Sequence, residues 1–447
     1  MLHHLSGSRH IVDLLHKLGF CSSYDEVKTF EQSAALHQGV DLYGVGPGSS
    51  CIQFVADNVD HNLKTLDGEG TFHGMGIIGA ATPGVQANNH IPRQASLTAV
   101  SVTTRNQIPI KEYGPKPVTA NLTFEVLVKD IAKKDGEKAD LSWKLSWPLR
   151  SPRPGWSGTM QTYADGLYPG QSCLTFLPMI DMEPGNLTCI YTTLHFVVSL
   201  AEKYAATPIL TFDQPLWWKA MSIVENEPAD SPLRSIVLKL GGFHAEMSFL
   251  GSIGRLMAGS GLQELLEKIF AKIAVTHMLS GKAVARAVRG YFLVDSVLQA
   301  LLSFDAFGFK VEIQQGRRGK ETIVTDTTVM EENGLTKYEC LQSALSLFDR
   351  MLQKDVTPQE LQDSSELEQV ESILQLAREK LKDNRTAALW LQFMDMVDLL
   401  RTFLRAERTG NWPLHLQTLQ EMLPYYAAAG HNLYTKSVYI YLQKCKI

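Results

Sequence analysis

The hydrophobic pattern changes character about half-way along the chain. In the first half, short apolar runs bounded by turn residues predict strands, whereas residues about 245–408 show the helical period almost throughout. A Gly-containing turn, "LDGEG", separates the first two strand candidates, as is typical of a hairpin. The predicted strands are "SCIQFVAD", "TFHGMGIIGAATPG", "ASLTAVSVTT" at residues 95–104, "TPILTFD" and "LRSIVLKLGGFH".

The same pattern predicts how the chain is divided. A helical preface at residues 1–45 precedes an α/β core at residues 46–245. Residues about 105–185 are rich in Pro, Trp and Gly and show no regular hydrophobic period. This composition predicts an irregular insertion into the core. The pattern at residues 246–385 predicts an all-helical insertion. One stretch within it, "FKVEIQQGRRGKETIV", is an exception and is predicted to be a loop or a short hairpin. Residues 386–447 predict helices that complete the core.

The order of these elements predicts the fold class. Three strands, a helix, a strand, a helix and a fifth strand, followed by helices, are typical of a ribonuclease-H-like fold with a mixed sheet. In that arrangement the first and fourth strands are parallel neighbours, so their carboxyl ends meet at one edge of the sheet. We therefore expect an α/β, ribonuclease-H-like mixed sheet with a long all-helical insertion and a helical N-terminal preface.

Both of these strands end in an aspartate, in "FVAD" at Asp57 and in "LTFD" at Asp213. Two carboxylates that converge on one point can hold a pair of Mg²⁺ or Mn²⁺ ions about 4 Å apart, which activate water and stabilise the leaving oxygen in phosphodiester cleavage. The alternative for Asp213 is that it caps the helix that begins near Pro215. Asp60, in the polar run after Asp57, is either a supporting residue of the metal site or a turn acid.

A third carboxylate has to come from a helix, and the candidates are Glu246, Glu407 and Glu421. Glu407 is the prediction, as catalytic residue and metal ligand, because it ends the strongly apolar helix "LWLQFMDMVDLLRTFL", which must pack on the core. Glu246 is interpreted as a helix N-terminal acid, and Glu421 lies on the solvent side of its helix. The alternative for Glu407 is a surface acid paired with Arg405 or Arg408.

This order of acids resembles that of the hAT-type DDE transposases, in which a helical insertion separates the fifth strand from the helix that carries the glutamate. "LGGFH" places His244, a predicted supporting residue, where that family has a Cys-x-x-His motif, although Gly241 stands in the cysteine position. Glu407, followed by Arg408, lies where the Glu-Arg pair of the family would fall. The resemblance is confined to the order of the motifs.

A second resemblance covers almost the whole chain from residue 10 onward. The chain is similar to a poorly characterised family that occurs in many repetitive, transposon-like copies in invertebrate genomes. The resemblance implies a transposon-derived DDE-type nuclease or transposase acting on DNA, at transposon ends or in target DNA. The motifs that carry it are "ADNVDHN", "TFHGMG", "LRSPRPGWSG", "TFDQPLWWKA", "LGGFHAEMSFLGSIG", "HMLSGKAVARA" and "RAERTGNW".

Two other functions remain open at this point. A catalytically silent, domesticated protein could serve as a DNA- or protein-binding scaffold, and a metal-dependent hydrolase could act on a small molecule. Retained acids favour the nuclease, because a scaffold does not need them.

Charge and cysteine content narrow the expected partners and compartment. The net charge of -5 gives no overall basic field, so DNA binding would depend on local basic loops or on an additional module. Six scattered cysteines, no signal peptide and no long apolar run predict an intracellular protein that does not enter a membrane. For a protein that acts on DNA, as the resemblance implies, the expected location is the nucleus, and a homo-oligomer is compatible with these features. The residues expected to contact phosphates, unless they belong to solvated loops, are Arg150, Arg153, Arg317, Arg318 and Lys320.

Overall fold

The structure, a computed structural model, divides into a sheet unit and a helical unit. It describes residues 8–37, 42, 45, 48, 50–62, 71–84, 93, 107–114, 136–149, 155–164, 170–308, 310–315, 321–326 and 332–445. The sheet unit comprises residues 1–123 and 169–241, and the helical unit comprises residues 124–168 and 242–447. The prediction that residues 386–447 complete the sheet core stays a prediction.

The described chain is α/β, with a five-stranded mixed sheet in the sheet unit. Its spatial order is β3-β2-β1-β4-β5, in which β1 is antiparallel to β2 and parallel to β4, while β4 is parallel to β5 and β2 antiparallel to β3. A separate antiparallel hairpin, β6-β7, resolves the predicted choice between a loop and a hairpin. The strands are β1 Cys51–Asn62, β2 Thr71–Thr82, β3 Cys173–Ile180, β4 Ile209–Phe212, β5 Val237–Leu240, β6 Lys310–Gln315 and β7 Glu321–Asp326.

Helices make up most of the remainder. The helices of the sheet unit are α1 Arg9–Lys17, α2 Tyr24–His37, α5 Leu187–Lys203 and α6 Gln214–Asn226, with a 3₁₀ turn at Pro232–Ser235. Those of the helical unit are α3 Glu137–Leu149, α4 Trp156–Tyr163, α7 Gly242–Leu256, α8 Leu262–Glu267, α9 Lys272–Leu279, α10 Val284–Phe307, α11 Glu332–Leu352, α12 Pro358–Gln362, α13 Ser365–Leu381, α14 Arg385–Thr409, α15 Trp412–Ala428 and α16 Asn432–Lys444.

Among the described residues, the third strand of the sheet in chain order is β3. The strand predicted at residues 95–104 lies outside the described residues. Pro178 explains why the pattern missed β3, because proline cannot donate to a strand ladder. The register runs from Met75↔Ile180 to Ile77↔Leu177, so Pro178 falls in an irregularity at the sheet edge. The segment predicted to be irregular therefore contains a strand.

The same segment also contains α3 and α4, which the sequence pattern did not reveal. In α3 the buried positions include Asp140, Ser142 and Lys144 beside Trp143 and Leu145. Polar residues therefore occupy the buried face, and the apolar period that would identify a helix is lost. Their partners lie elsewhere in the helical unit, so only the tertiary structure accounts for them.

Helix α10 is long and apolar enough to cross a membrane by length and composition, and it is the one such helix among the described residues. Within the apolar window, 61% of the residues are buried inside the protein. A buried core helix gives the same signal, so this test is weak evidence for a membrane span.

A buried ion-pair network joins α3, α10 and α14 in the helical unit. The guanidinium of Arg401, fully buried, donates to Asp295 at 2.8 Å and to Asp398 at 2.6 Å, and Lys144 donates to Asp398 at 2.5 Å. Arg405 likewise pairs with Asp140 at 2.5 Å. Charges inside a protein are tolerated only when they are paired and hydrogen-bonded, so these helices have to pack in one register.

We expect Arg401→Met to lower the free energy of unfolding by about 3–5 kcal/mol, because Asp295 would remain buried without its partner. Urea unfolding followed by far-UV circular dichroism measures this loss. The double variant Asp295→Leu/Arg401→Met should recover most of it, since it leaves no uncompensated charge on α10. A double variant as unstable as Arg401→Met would contradict this account.

Candidate functional site

The sheet brings Asp57 and Asp213 to matching positions of neighbouring parallel strands. The register of β1 and β4 is Gln53↔Ile209 through Val55↔Thr211, and two more residues along each chain reach these aspartates. Adjacent strands lie about 4.8 Å apart. The Nε2 group of Gln53 donates to Oγ1 of Thr211 at 2.8 Å, which shows that these two side chains share a face.

Alternation extends this shared face to both acids. Along β1, Ile52, Phe54 and Ala56 are buried, whereas Gln53 and Asp57 are half-buried on the opposite face. Residue 213 is in an extended conformation, with φ -65° and ψ 171°, so the alternation of β4 continues through it. The two carboxylates therefore occupy corresponding positions on the same face of the sheet. The prediction that β1 ends at Asp57 is wrong, because β1 continues to Asn62 in register with β2.

Asp213 also has the structural role that the sequence left open. Its Oδ1 atom accepts a hydrogen bond from the backbone N–H of Leu216 at 3.0 Å, and Pro215 occupies the first turn of α6. Asp57 Oδ1 accepts from the N–H of Asn58 at 2.8 Å. Each carboxylate is thus held by a local backbone donor, Asp57 within β1 and Asp213 directly after the end of β4.

Asp60 continues along β1 and lies on the surface. Its Oδ1 atom is 2.8 Å from Nδ1 of His73, opposite it on β2, and both side chains are more than half exposed. In the structure Asp60 therefore pairs with His73 across the two strands. Among the described residues, no group of three or more His, Cys, Asp or Glu side chains has the arrangement of a metal site.

The fifth strand leads directly into α7. The N–H of Gly241 donates to the carbonyl of Phe212 at 2.8 Å, and α7 begins at the next residue. His244 consequently lies in the first turn of a helix rather than in a turn after the strand, with its ring edge-on to Phe243 at 5.7 Å between the centroids. No Cβ fits at Gly241 without crowding the carbonyl of Phe212.

In the helical unit, Glu407 lies against the start of α7. Its carboxylate occupies the space that a Cβ of Gly242 would need, so only glycine allows this approach. Nδ1 of His415 lies 2.5 Å from Oε1 of Glu407, and His415 is buried and stacked on Trp412. A helix N-terminus favours a carboxylate, and the buried histidine restrains it further.

Glu246, one turn further into α7, is the residue that the sequence interpretation underestimated. It is only 9% exposed, and burial raises its pKa to about 7, opposed by Arg408 and reinforced by the charge of Glu407. The available signal was its place in line with Leu250 and Ile253, which are buried on the same helix. A glutamate in line with an apolar stripe indicates a buried acid.

Both glutamates line one cavity of about 790 Å³, which is mostly apolar. Trp143, Trp156 and Phe292 contribute aromatic walls. The guanidinium of Arg408 lies 5.4 Å from the centroid of the Trp156 ring, and Arg408 donates to Oγ of Ser157 at 2.6 Å. This cavity combines a carboxyl group that titrates near neutrality with a cation and apolar surroundings, which is a common composition of functional sites.

A family model, described as a domain of unknown function (DUF8702), matches residues 155–446. The chain belongs to this family. No curated protein and no solved structure matches the chain.

The matched DUF8702 region includes Asp213, Glu246 and Glu407, whereas Asp57 and Asp60 precede it. The predicted phosphate-contacting residues lie outside the described part of the structure; they are Arg150, Arg153, Arg317, Arg318 and Lys320.

The capping role of Asp213 predicts different effects for losing the helix cap and for losing only the negative charge. We expect Asp213→Ala to lower the free energy of unfolding by about 1 kcal/mol, because the N–H of Leu216 loses its acceptor. Asp213→Asn should stay close to wild type, since asparagine caps a helix as well as aspartate does. Chemical denaturation measures both values, and equal losses in the two variants would refute the capping role.

The raised pKa of Glu246 predicts a pH-dependent stability. Its pKa in the folded protein lies above the ordinary value of 4.5, so the folded state holds its proton longer than the unfolded state does. Stability is therefore lost as the pH rises from about 4.5 to about 7, by about 1–3 kcal/mol after allowance for solvent screening.

Denaturation in EDTA between pH 5 and pH 7.5 tests this, with Glu246→Gln as the variant. The variant should gain stability relative to wild type as the pH rises, because glutamine carries no charge to bury. Glu371→Gln, at an exposed position, should follow the wild-type profile. Parallel profiles for wild type and Glu246→Gln would contradict the assignment.

Proposed function

We propose that this protein is a transposon-derived, DDE-type nuclease or transposase that cleaves and joins DNA strands with Mg²⁺ or Mn²⁺. The observation that carries the proposal is the matched position of Asp57 and Asp213 on one face of two parallel strands. The strand order β3-β2-β1-β4-β5, with β1, β4 and β5 parallel, supports a ribonuclease-H-like sheet. Membership of the DUF8702 family does not support any particular activity, because the function of that family is unknown.

The pair of carboxylates on this face of the sheet suits magnesium. Mg²⁺ commonly keeps several of its waters and is bound through one or two carboxylates together with substrate phosphates. Asp57 and Asp213 supply two carboxylates, each oriented by a backbone N–H. Bound metal would activate water and stabilise the leaving oxygen.

The reaction itself is a phosphodiester hydrolysis followed by strand transfer. Water adds its oxygen to phosphorus, the bond to the 3′ oxygen breaks, and that oxygen takes up a proton. In strand transfer the freed 3′ hydroxyl attacks a second phosphodiester, so one P–O bond forms as another breaks. Asp57 and Asp213 would hold the metal through both steps.

The proposal also requires Glu407 for activity. Its carboxylate is confined by the backbone of Gly242 and by His415, and such restraint by packing is what a ligand position needs. Asp60 and His244 are proposed as supporting residues. The proposed partner is DNA at transposon ends or in target DNA, and the proposed location is the nucleus.

The alternative is a catalytically silent, domesticated scaffold that binds DNA or protein. Asp213 caps α6 and Glu407 contacts His415, so both acids have structural uses that would retain them without catalysis. Activity, rather than the presence of the acids, therefore decides between the two functions.

We expect the purified full chain to nick supercoiled plasmid DNA with Mg²⁺ or Mn²⁺ and to lose the activity in EDTA. Asp57→Asn and Asp213→Asn should each reduce the rate by about 100-fold or more, since each removes a ligand charge from the metal site. Asp213→Asn is the informative variant because it keeps the helix cap.

Glu407→Gln should also reduce nicking, whereas Asp230→Asn, on the surface, should remain within about 2-fold of wild type. Equal activity in all of the variants would reject the assignment. DNA binding by wild type without nicking in either metal would establish the scaffold instead.

A further inference from the structure

A groove of about 440 Å³ in the helical unit lies between α7, α8, α9 and the start of α16. The acids of the proposed nuclease do not line it. The polar side chains of its described lining include no carboxylate; they are Arg255, Gln263, Thr276, Ser280 and His431. A concave site lined by groups of one sign attracts the opposite charge, so this groove is suited to an anion.

Arg255 is the cation of the groove. Its side chain is exposed and lies against the turn between α15 and α16, where a Cβ at Gly430 would be 3.7 Å from the guanidinium carbon. Within the described residues, no carboxylate forms an ion pair with Arg255. An arginine that no acid neutralises can present its N–H donors to an oxyanion.

His431 follows that turn and stands beside the guanidinium of Arg255. Nδ1 of its ring lies 2.7 Å from Oγ of Ser248, whereas Nε2 has no hydrogen-bond partner among the described residues. Burial, and next the charge of Arg255, lower the pKa of His431. An anion that accepts from both groups would relieve this repulsion.

The N-terminus of α16 adds to the positive potential of the groove. His431 is the N-cap residue of this helix, and its side chain does not cap it. The N–H groups of the first turn are therefore left to other acceptors, and the positive end of the helix dipole favours a negative charge there.

Two glycines hold α9 close to α7 and so fix the shape of the groove. A Cβ at Gly254 would overlap the carbonyl oxygen of Leu279, and a Cβ at Gly251 would lie 3.2 Å from that of Ser280. Because neither helix can move closer or carry a larger side chain here, the donors of the groove stay in place before a ligand arrives.

The remaining polar groups of the lining already have partners. The hydroxyl groups of Thr276 and Ser280 each donate to a carbonyl of α9 at 3.1 Å. Nε2 of Gln263 donates at 2.9 Å to Glu267, which does not line the groove. The side-chain N–H groups left for a ligand are therefore those of Arg255 and His431.

Positive charge continues beyond the groove. Lys272 lies one turn before Thr276 on the same face of α9, and both are exposed. Residues 268–294 contain five lysines and arginines and no acid, although the net charge of the chain is -5. A single small anion would not use this extended charge, whereas a polymer of phosphates would. The five cations are all exposed; they are Lys268, Lys272, Lys282, Arg286 and Arg289.

We propose that this groove binds a phosphate of the DNA backbone, with its oxygens at Arg255 and His431 and with neighbouring phosphates of the strand near Lys272. The choice of DNA among phosphate polymers rests on the proposed nuclease function. Contacts of this kind position a duplex and do not read its sequence.

Fluorescence anisotropy with a labelled duplex of about 25 base pairs, measured in EDTA at several salt concentrations, tests the proposal. Arg255→Gln should weaken binding by about 5- to 10-fold, because a charged donor to phosphate is lost. It should also reduce the magnitude of the slope of log affinity against log salt by about 0.9, as expected for one phosphate contact. Lys272→Gln should change both quantities in the same direction.

Matched controls come from exposed cations of the same unit that do not line the groove. Arg385→Gln and Lys380→Gln should stay within about 2-fold of wild type. Thermal unfolding establishes that each variant is folded. Equal weakening by Arg255→Gln and Arg385→Gln would overturn the proposal, because it would reflect net charge alone.

Two further probes identify a different ligand. Binding of phosphatidylserine vesicles without binding of the duplex would overturn the proposal in favour of a membrane surface. Inorganic phosphate that binds through Arg255 in calorimetry but does not compete with the duplex would identify a free-phosphate site and overturn the DNA assignment.

Binding in EDTA and nicking in Mg²⁺ are separate measurements, so the two proposals can fail separately. Asp57→Asn should bind the duplex as wild type does. Absence of nicking together with Arg255-dependent binding would refute the nuclease alone, whereas nicking together with binding that does not depend on Arg255 would refute the groove alone.

Discussion

The parallel pairing of β1 with β4 is the constraint on which the sheet unit depends. It makes β1 the centre of the sheet, with antiparallel β2 on one side and parallel β4 on the other. Because parallel strands need a crossover, the chain must pass through β2, β3 and α5 before it can reach β4. The same pairing aligns Asp57 with Asp213 and places the end of β5 beside the end of β4.

Buried charge plays the corresponding part in the helical unit. Arg401 has no exposed surface, so its carboxylate partners determine how α3, α10 and α14 can pack. Glu246 shows the opposite case, in which burial without an adequate cation raises the pKa instead. Arg401 is stable in the interior because all of its charge is paired with carboxylates. Glu246 lacks such a partner, so burial raises its pKa and sets it apart from the other acids.

The parts of the fold that could be predicted are those in which burial follows hydrophobicity. The runs that became β1, β2, β4 and β5 are apolar and bounded by turn residues, so their existence and order followed from the pattern. β3 did not, because Pro178 disguises an edge strand, and α3 did not, because its buried face carries Asp140 and Lys144. In β3 the pairing with β2 compensates for a proline that strands disfavour. In α3 the ion pairs with α14 compensate for buried charges.

For the candidate site, the sequence by itself determined that Asp213 follows a strand and precedes a helix with proline in its first turn. It did not determine the end of β1, which runs past Asp57 to Asn62 because β2 pairs with it there. Only the tertiary structure decided the register of Asp57 with Asp213, the contact of Glu407 with Gly242, and the burial of Glu246. The physical reason is that strand ends and helix caps are local, whereas register, close backbone approach and desolvation depend on segments far apart in the chain.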